Sequence, residues 1–585
     1  MAIDRRELLR RGGAAAAGGA VLAPAAAADA ATVPVRWTRE ADIVVIGSGA
    51  TGMTAAIAAR EAGASVIVLE AEPDIGGHAI CSGGHVALGG GTSVQKKYGI
   101  VDSPDILFRD LIDWTVVQPS GGADYRFNDH EIIRAFADNS AKTFEFLLAH
   151  GVTFADKAPD NFGGHSIGGS AMRENHAVPL DVPLVQTGQP APPAERRTMS
   201  TGNGLMRPLE ASARKIGVEI LLEHRMTSLH RQAGGPVTGV AVTHKGQRLD
   251  VRARKAVILA TGGSTGNVEF RRMFDPRLTE EYCGTAGMPW SNQDASGEIA
   301  GMAVGAALWG LANQTGQFGW AITKAGTIGC QYGYTNNTWY PGSRVFPQAR
   351  ATGLRVKDWQ DLILVNMIGN RFYDETEGQF TSNNQGSLKD YVQGSWRNAA
   401  NNKYNPQNFI NAALAGIGDG KNGGGPIWAI FDADAVAREG WTPQPPNVDY
   451  AEGFFFSANS IPELARKIVM KHQRVPMPPE ALERTVARYN GFVDAGKDAD
   501  FDKPAPKYKI AKGPFYAAWA TPVLHDTRAG LRINAKCQVV DMHGKVIPGL
   551  YCGGESAGGF SQHGVARATC QGFIAGHEAA GVAVA

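Results

Sequence analysis

The chain has 585 residues, enough for several domains at roughly 150 residues each. Lysine plus arginine (57) nearly balances aspartate plus glutamate (56), so no global field favours nucleic acid or an anionic membrane, and small-molecule chemistry is the expectation. Six scattered cysteines (Cys81, Cys283, Cys330, Cys537, Cys552 and Cys570) contain no CxxC, CxxCH or zinc-like spacing, which argues against a haem-attachment site or a cysteine-ligated metal site on this chain.

The first thirty residues read as an address. Asp4-Arg5-Arg6-Glu7-Leu8-Leu9-Arg10 has the form of a twin-arginine export motif, Gly12 to Ala28 is a weakly apolar Ala/Gly stretch, and Ala28-Asp29-Ala30 offers a small-residue cleavage site. A membrane anchor is disfavoured because alanine and glycine give little transfer free energy and the run is shorter than about 18 strongly apolar residues. The other reading is a basic tail. Because the twin-arginine route carries folded proteins, the motif predicts a periplasmic or secreted enzyme that acquires its cofactor before export.

Asp42 to Ile46 then reads as a buried strand running into Gly47-Ser48-Gly49-Ala50-Thr51-Gly52, followed by a helical run Ala55 to Ala62, a capping Gly63, and a second strand Ser65 to Leu69 ending in Glu70-Ala71. This is a βαβ dinucleotide fingerprint. Its glycines let the backbone turn and approach a pyrophosphate, the helix N-terminus offers free N–H groups, and Glu70 can accept from ribose hydroxyls. A lone GxGxxG is also found in ordinary glycine turns, but here both strands, the helix and the acidic residue are in place.

Gly217 to Leu222, Val237 to Thr243 and Leu249 to Ala253 alternate as short strands, with Lys245-Gly246 as a turn, and lead into Ala256 to Gly263, where a buried strand ends at Ala260-Thr261-Gly262-Gly263. From about Phe318 to Trp519 the composition shifts to Asn, Trp, Tyr and Pro, with one clear helix, Glu480 to Val493, whose Leu482, Val486, Tyr489 and Phe492 share a face. Val546 to Glu555 is another apolar strand ending in Gly-Gly-Glu, and a helix from about Ala566 to Ala580 closes the chain. Strand ends of open α/β sheets are where ligands bind.

Five motifs in this order resemble the fumarate reductase and 3-ketosteroid dehydrogenase superfamily of FAD enzymes: Asp42 to Gly52 with Glu70; Gly76-Gly77-His78 through Ser82-Gly83-Gly84; Val257 to Gly263; Gly369-Asn370-Arg371-Phe372-Tyr373-Asp374-Glu375; and Pro548 to Glu555. The resemblance spans nearly all of the chain after residue 30. It implies an α/β fold, a Rossmann-like FAD-binding domain with an inserted α+β cap domain, and extended FAD with Glu70 on the adenosine ribose and Glu555 on the ribityl chain. The expected boundaries are 38–316 and 523–585 for the FAD-binding domain and 317–522 for the cap. Independently of the resemblance, Gln562-His563-Gly564-Val565 starts the last helix, whose N–H groups can stabilise charge on reduced flavin. His78 falls near a histidine that carries covalent flavin in the succinate dehydrogenase branch, where the following Gly-Gly is one residue further away; a noncovalent contact is the favoured reading here.

The substrate machinery departs from the resemblance. Where fumarate reductases place their proton-donor arginine the chain has Gln379, its upstream proton relay falls at Arg355 and Asp358, and the two carboxylate-binding histidines fall at Gln317 and Asp526. The spacing from Gly77 to Ser82-Gly83-Gly84 is closer to 3-ketosteroid dehydrogenases, yet the tyrosine those enzymes carry at the Gln379 position is missing and a second has no match around Gln562 to Arg567. Candidate acid, base or polarising groups are Tyr373, His525, His563 and Arg567. Their alternatives are a packed aromatic for Tyr373, supporting roles for the histidines, and a capping arginine for Arg567. Gln331 to Tyr340 can line a pocket for a ring or be cap surface.

Three functions stay in view. The favoured one is an FAD-dependent oxidoreductase acting on a CH–CH bond of a neutral, ring-containing carbonyl substrate. The second is a periplasmic enoate reductase fed by a separate cytochrome, and the third a noncatalytic flavin-binding redox protein. In each case the expected partners are a small molecule and a separate electron donor or acceptor, with no nucleic acid, no membrane anchor and no metal.

Overall fold

Strand β1 (Arg39–Ile46) is apolar from Ile43 onward because it lies between two parallel neighbours in a sheet covered on both faces. In the computed structural model the described residues are 35–112, 128–160, 170–180, 202–274, 276, 278–282, 292–309, 320–323, 325–333, 341, 346–372, 374–376, 425–560, 562 and 564–582. Helix α1 (Ala50–Glu61) follows β1 and is buried from Ala50 to Ala59, its small side chains letting it lie against the sheet. Strand β2 (Val66–Leu69) returns parallel to β1. Two short strands, β3 (His85–Ala87) and β4 (Glu174–His176), pair antiparallel outside this sheet. Strand β5 (Glu219–Leu221) extends it beyond β2, and β6 (Arg225–Arg231), β7 (Val237–His244) and β8 (Gln247–Leu259) form a meander that brings β8 alongside β1.

Leu249 to Ala253 and Ala256 to Leu259 are a single strand, β8. The exposed Arg254 and Lys255 interrupt its apolar pattern because β8 carries one extra residue where the register shifts opposite Ala41 and Ile43. Arg254 turns outward there, meeting Asp42 and Glu40 at 3.0 Å each.

Strands β9 (Ile363–Val365), β10 (Trp428–Phe431) and β11 (Phe455–Ala458), helix α2 (Pro479–Ala495) and strand β12 (Phe515–Trp519) build a second, antiparallel sheet ordered β9-β10-β12-β11. One face packs Leu364, Phe431, Phe455 and Tyr516, the other Ile363, Trp428, Trp519 and the Leu482, Val486 and Tyr489 stripe of α2. Phe492 is only half-buried, under Arg488. The Arg371 to Glu375 motif forms a buried charge cluster beside this sheet. Arg371 grips Glu375 through two bonds of 2.7 and 2.8 Å and reaches Asp498 at 2.8 Å, while Lys503 stands 3.2 Å from Glu375.

The backbone strands Trp320–Thr323 and Val523–Thr527 pair antiparallel where the chain enters and leaves this region. Beyond them β13 (Gln538–Val540) and β14 (Val546–Cys552) complete the first sheet, in the order β13-β14-β8-β1-β2-β5. Helix α3 (Val565–Ala580) packs along α1 with almost no gap: an added Cβ at Gly572 would sit 2.3 Å from Thr51 O, and one at Gly576 2.4 Å from Ala55 O. Among the described residues no helix is long and apolar enough to cross a membrane.

Candidate active site

Because β14, β8, β1 and β2 run parallel, all four end on the same edge of the sheet, and the cleft lies there. It holds about 1560 Å³ of space counted out to its open mouth. At the end of β1, Gly47 turns with φ +98°, and a Cβ on it would lie 2.3 Å from Ala260 O, so this loop rests directly on the end of β8. Gly49 then caps α1 without any side-chain bond, and no acidic residue sits in the first turn. Helix α3 begins in the same manner at Gly564. Two helix N-termini without a side-chain cap thus open into one cleft, an arrangement that favours a ligand with negative charge along its length.

Each end of the cleft carries a glutamate. Glu70 follows β2 and Glu555 follows β14, three strands away, which sets them roughly 14 Å apart at about 4.8 Å per strand. Glu70 is buried and fixed: Oε2 accepts from Ser48 N (2.8 Å) and Ser48 Oγ (2.6 Å), and Oε1 from Glu72 N (2.9 Å). Burial and the neighbouring Glu70 push the Glu72 carboxyl above its ordinary range, with Arg225 opposing. At the other end Glu555 Oε1 lies 3.4 Å from His78 Nδ1, while Oε2 is buried with no hydrogen-bond partner among the described residues. A buried carboxylate oxygen left this way calls for a donor from a ligand. Helix N-termini that favour negative charge, with a buried glutamate towards each end, suit extended FAD in polarity.

Of the residues singled out from sequence, Gly47, Gly49, Ala50, Thr51, Glu70, Ala71, Gly77, His78, Ser82, Gly83, Ala260, Thr261, Gly262, Glu555, Gly564 and Val565 line the cleft. Gly52 and Gly84 do not; Gly52 serves instead to let α1 approach, since a Cβ there would fall 1.9 Å from Gly47 O. The four candidate chemical groups are placed less evenly. Tyr373 and His563 lie outside the described residues, as do Gln317 and Gln379, and for His525 and Asp526 only the backbone of their strand is described. Arg567 is buried in α3, donating to Phe560 O (2.7 Å) and Thr527 O (3.0 Å). Arg355 is exposed, and Asp358 accepts from Gln360 N at 3.0 Å as a short-helix cap. Tyr332 packs half-buried against the core of the first sheet, and 334–340 lie outside the described residues.

Sequence reasoning missed several groups in and behind the walls. Gln293 Nε2 lies 2.8 Å from His78 Nδ1. Glu298 is fully buried with neither carboxylate oxygen bonded among the described residues, and burial pushes its carboxyl well above the usual range. His85 lines the cleft with Nδ1 at 3.1 Å from the buried Glu174 Oε1. Its position directly after Gly83-Gly84 was the one available signal; Glu174 had none, since the β3 and β4 pairing alone brings it there. No cluster suited to a metal ion occurs among the described residues.

The family model described as FAD binding domain matches residues 42–570. The urocanate reductase of Eggerthella lenta is 27% identical over 530 residues, covering 90% of this chain and 71% of that protein. The cytochrome-type fumarate reductase of Shewanella frigidimarina is 29% identical over 536 residues, covering 90% and 73%. In fold, the chain resembles the solved 3-ketosteroid Δ1-dehydrogenase of Sterolibacterium denitrificans, with a TM-score of 0.62 at 20% identity, covering 93% of this chain and 100% of that one. The chain belongs to the FAD binding domain family and is an FAD-dependent oxidoreductase of the fumarate reductase and ketosteroid dehydrogenase group.

Proposed function

We propose that this enzyme exchanges hydride at a CH–CH bond of a neutral, ring-containing carbonyl substrate. The observation that carries the reading is Arg567. Its guanidinium is buried in α3, where the two terminal nitrogens donate to main-chain carbonyls, Phe560 O and Thr527 O, so it ties a loop to the strand that leaves the cap and does not line the cleft. Among the described residues, those lining the cleft include His78, Ser82, Gly83, His85, Gly564 and Val565, and its one arginine, Arg225, stands 3.5 Å from Glu72, near Glu70. A dicarboxylate would enter such a site uncompensated.

The groove from Glu70 to Glu555 is suited to hold FAD, which supplies the hydride acceptor or donor. Ser48 and Glu72 hold Glu70 in the orientation a ribose needs, and the α3 N-terminus stabilises negative charge at the far end. The region 317–522 acts as the cap that closes on the substrate and excludes water. Export through a twin-arginine signal places the enzyme outside the cytoplasm, with its electrons exchanged through a separate partner. A second reading, reduction of an unsaturated acid, is favoured by the likeness to urocanate and fumarate reductases.

An anaerobic screen of the purified holoprotein separates the two. Bleaching by 4-androstene-3,17-dione, or reoxidation of the reduced protein by an aromatic enone such as benzylideneacetone, supports the neutral substrate. Rapid reoxidation by urocanate or fumarate alone would put the second reading first.

A further inference from the structure

We propose that His85 is the acid–base group of this cleft, with Glu174 as its positioning residue. The inference rests on the reading above, that a C–H bond is made or broken here. That chemistry needs a proton exchanged at the carbon next to the one that exchanges hydride, and no site for that proton follows from the arginine relay, whose positions hold Gln379, Arg355 and Asp358.

His85 has the required placement. It lies on β3, which packs against α3, the helix whose N-terminus opens the cleft at Gly564. The segment leading to it starts at His78, beside Glu555. His85 lines the same cleft as His78, Glu555 and Gly564, the groups expected to face the ring of a dinucleotide anchored at Glu70. Its Nδ1 is taken up by Glu174 Oε1 at 3.1 Å, which turns the opposite edge, Cδ2 and Nε2, toward Gly83. That edge has room only because Gly83 lacks a side chain: a Cβ there would lie 2.6 Å from Cδ2 and 2.8 Å from Nε2. Gly83 itself lines the cleft.

The carboxylate behind the imidazole is almost wholly buried, and its second oxygen has no hydrogen-bond partner among the described residues, so its charge is directed at His85. A buried carboxylate on one ring nitrogen fixes the tautomer and orientation of the other, the logic of a carboxylate–histidine pair. Among the described residues, further charged and titratable groups approach this pair from β4, from the preceding segment and from α3. From β4, His176 meets the His85 ring edge-on at 4.5 Å and its Nε2 lies 2.8 Å from Asp160, which is partly exposed and bonded to Lys157. From the preceding segment comes His78, and the first turn of α3 offers no acidic residue, with Arg567 turned to its two carbonyls. In the oxidative direction the C–H bond next to the hydride-losing carbon breaks, its electron pair forms the C=C bond, and the proton goes to His85 Nε2. Bound FAD would supply the acceptor for the hydride and its two electrons, and reduction is the reverse.

The test compares wild type, His85→Gln and Glu174→Gln as FAD-loaded proteins. The first measurement needs no substrate: proton uptake on reductive titration with dithionite, followed with a pH indicator across the pH range. Wild type should take up more protons per flavin reduced than His85→Gln does, with Glu174→Gln in between. The second is turnover with the neutral probe that the screen identifies. His85→Gln should lose about 10²- to 10⁴-fold in kcat with little change in KM, and Glu174→Gln should lose less. Unchanged proton uptake in His85→Gln at full FAD content overturns the proposal, as does full turnover. If no probe is turned over by wild type the functional reading fails, and proton uptake still decides the role of His85.

Discussion

A methyl group added at Gly49 should weaken cofactor binding without touching the fold, and the same methyl at Gly52 should damage the fold itself. Gly49 has ordinary backbone angles (φ −68°, ψ −172°), and a Cβ there would meet nothing nearer than Gly76 O at 3.9 Å. Gly49→Ala should therefore leave the apoprotein as stable as before, or up to about 1 kcal/mol more stable through a less flexible unfolded chain. The same methyl occupies the face on which a pyrophosphate approaches the backbone. Losing about 1.4 kcal/mol of that contact weakens FAD tenfold, and a tenfold or greater loss is expected. At Gly52 the added Cβ falls 1.9 Å from Gly47 O and 2.9 Å from Gly47 C, both backbone atoms that cannot swing aside. The helix must shift away from the β1 turn, at a cost of about 1–3 kcal/mol or more. Thermal unfolding of the two apoproteins, with FAD titration by fluorescence quenching, reads both effects. Equal destabilisation by the two substitutions, or unweakened FAD binding by Gly49→Ala, would refute the reasoning.

Burial opposes ionisation of Glu375, yet the adjacent Arg371 and Lys503 hold its carboxyl at about 2. A depressed folded value stabilises the fold above the unfolded carboxylate range and loses that contribution as pH falls from about 4.5 toward 2, so denaturant midpoints should drop over that window in wild type. Glu375→Gln should cost about 3–5 kcal/mol at pH 7 by leaving two buried cations undercompensated, and should flatten this acid limb; an unchanged midpoint would sink the idea. Replacing Arg5 and Arg6 by Lys should retain folded, FAD-loaded precursor in the cytoplasm, and undiminished periplasmic activity would rule out the twin-arginine route. With reduced methyl viologen as donor, turnover with a neutral enone should far exceed turnover with fumarate, and Gln379→Arg alone should not raise the latter. Brisk fumarate reduction by wild type would overturn the reading of Gln317, Arg355, Asp358, Gln379 and Asp526 as a dismantled carboxylate site.

The sequence by itself determined the cofactor half of this protein. Strand, glycine turn, helix and second strand all fall between Asp42 and Glu70, so steric demands at Gly47 and Gly52 and the apolar runs around them are readable locally. Arg254 and Lys255 disturb the apolar pattern of β8, and the pairing with β1 shows why: a bulge turns both outward within one continuous strand. What only the tertiary structure decided is which polar groups from distant segments meet. Arg567 is a candidate anion ligand until a carbonyl 40 residues away, at Thr527, claims it. His85 is an unremarked residue after two glycines until Glu174, 89 residues on, is brought behind its ring. Local propensity carries no information about such pairs, because a hydrogen bond between distant segments is fixed by strand pairing and burial, and burial decides whether a side chain acts on a ligand or holds the protein together.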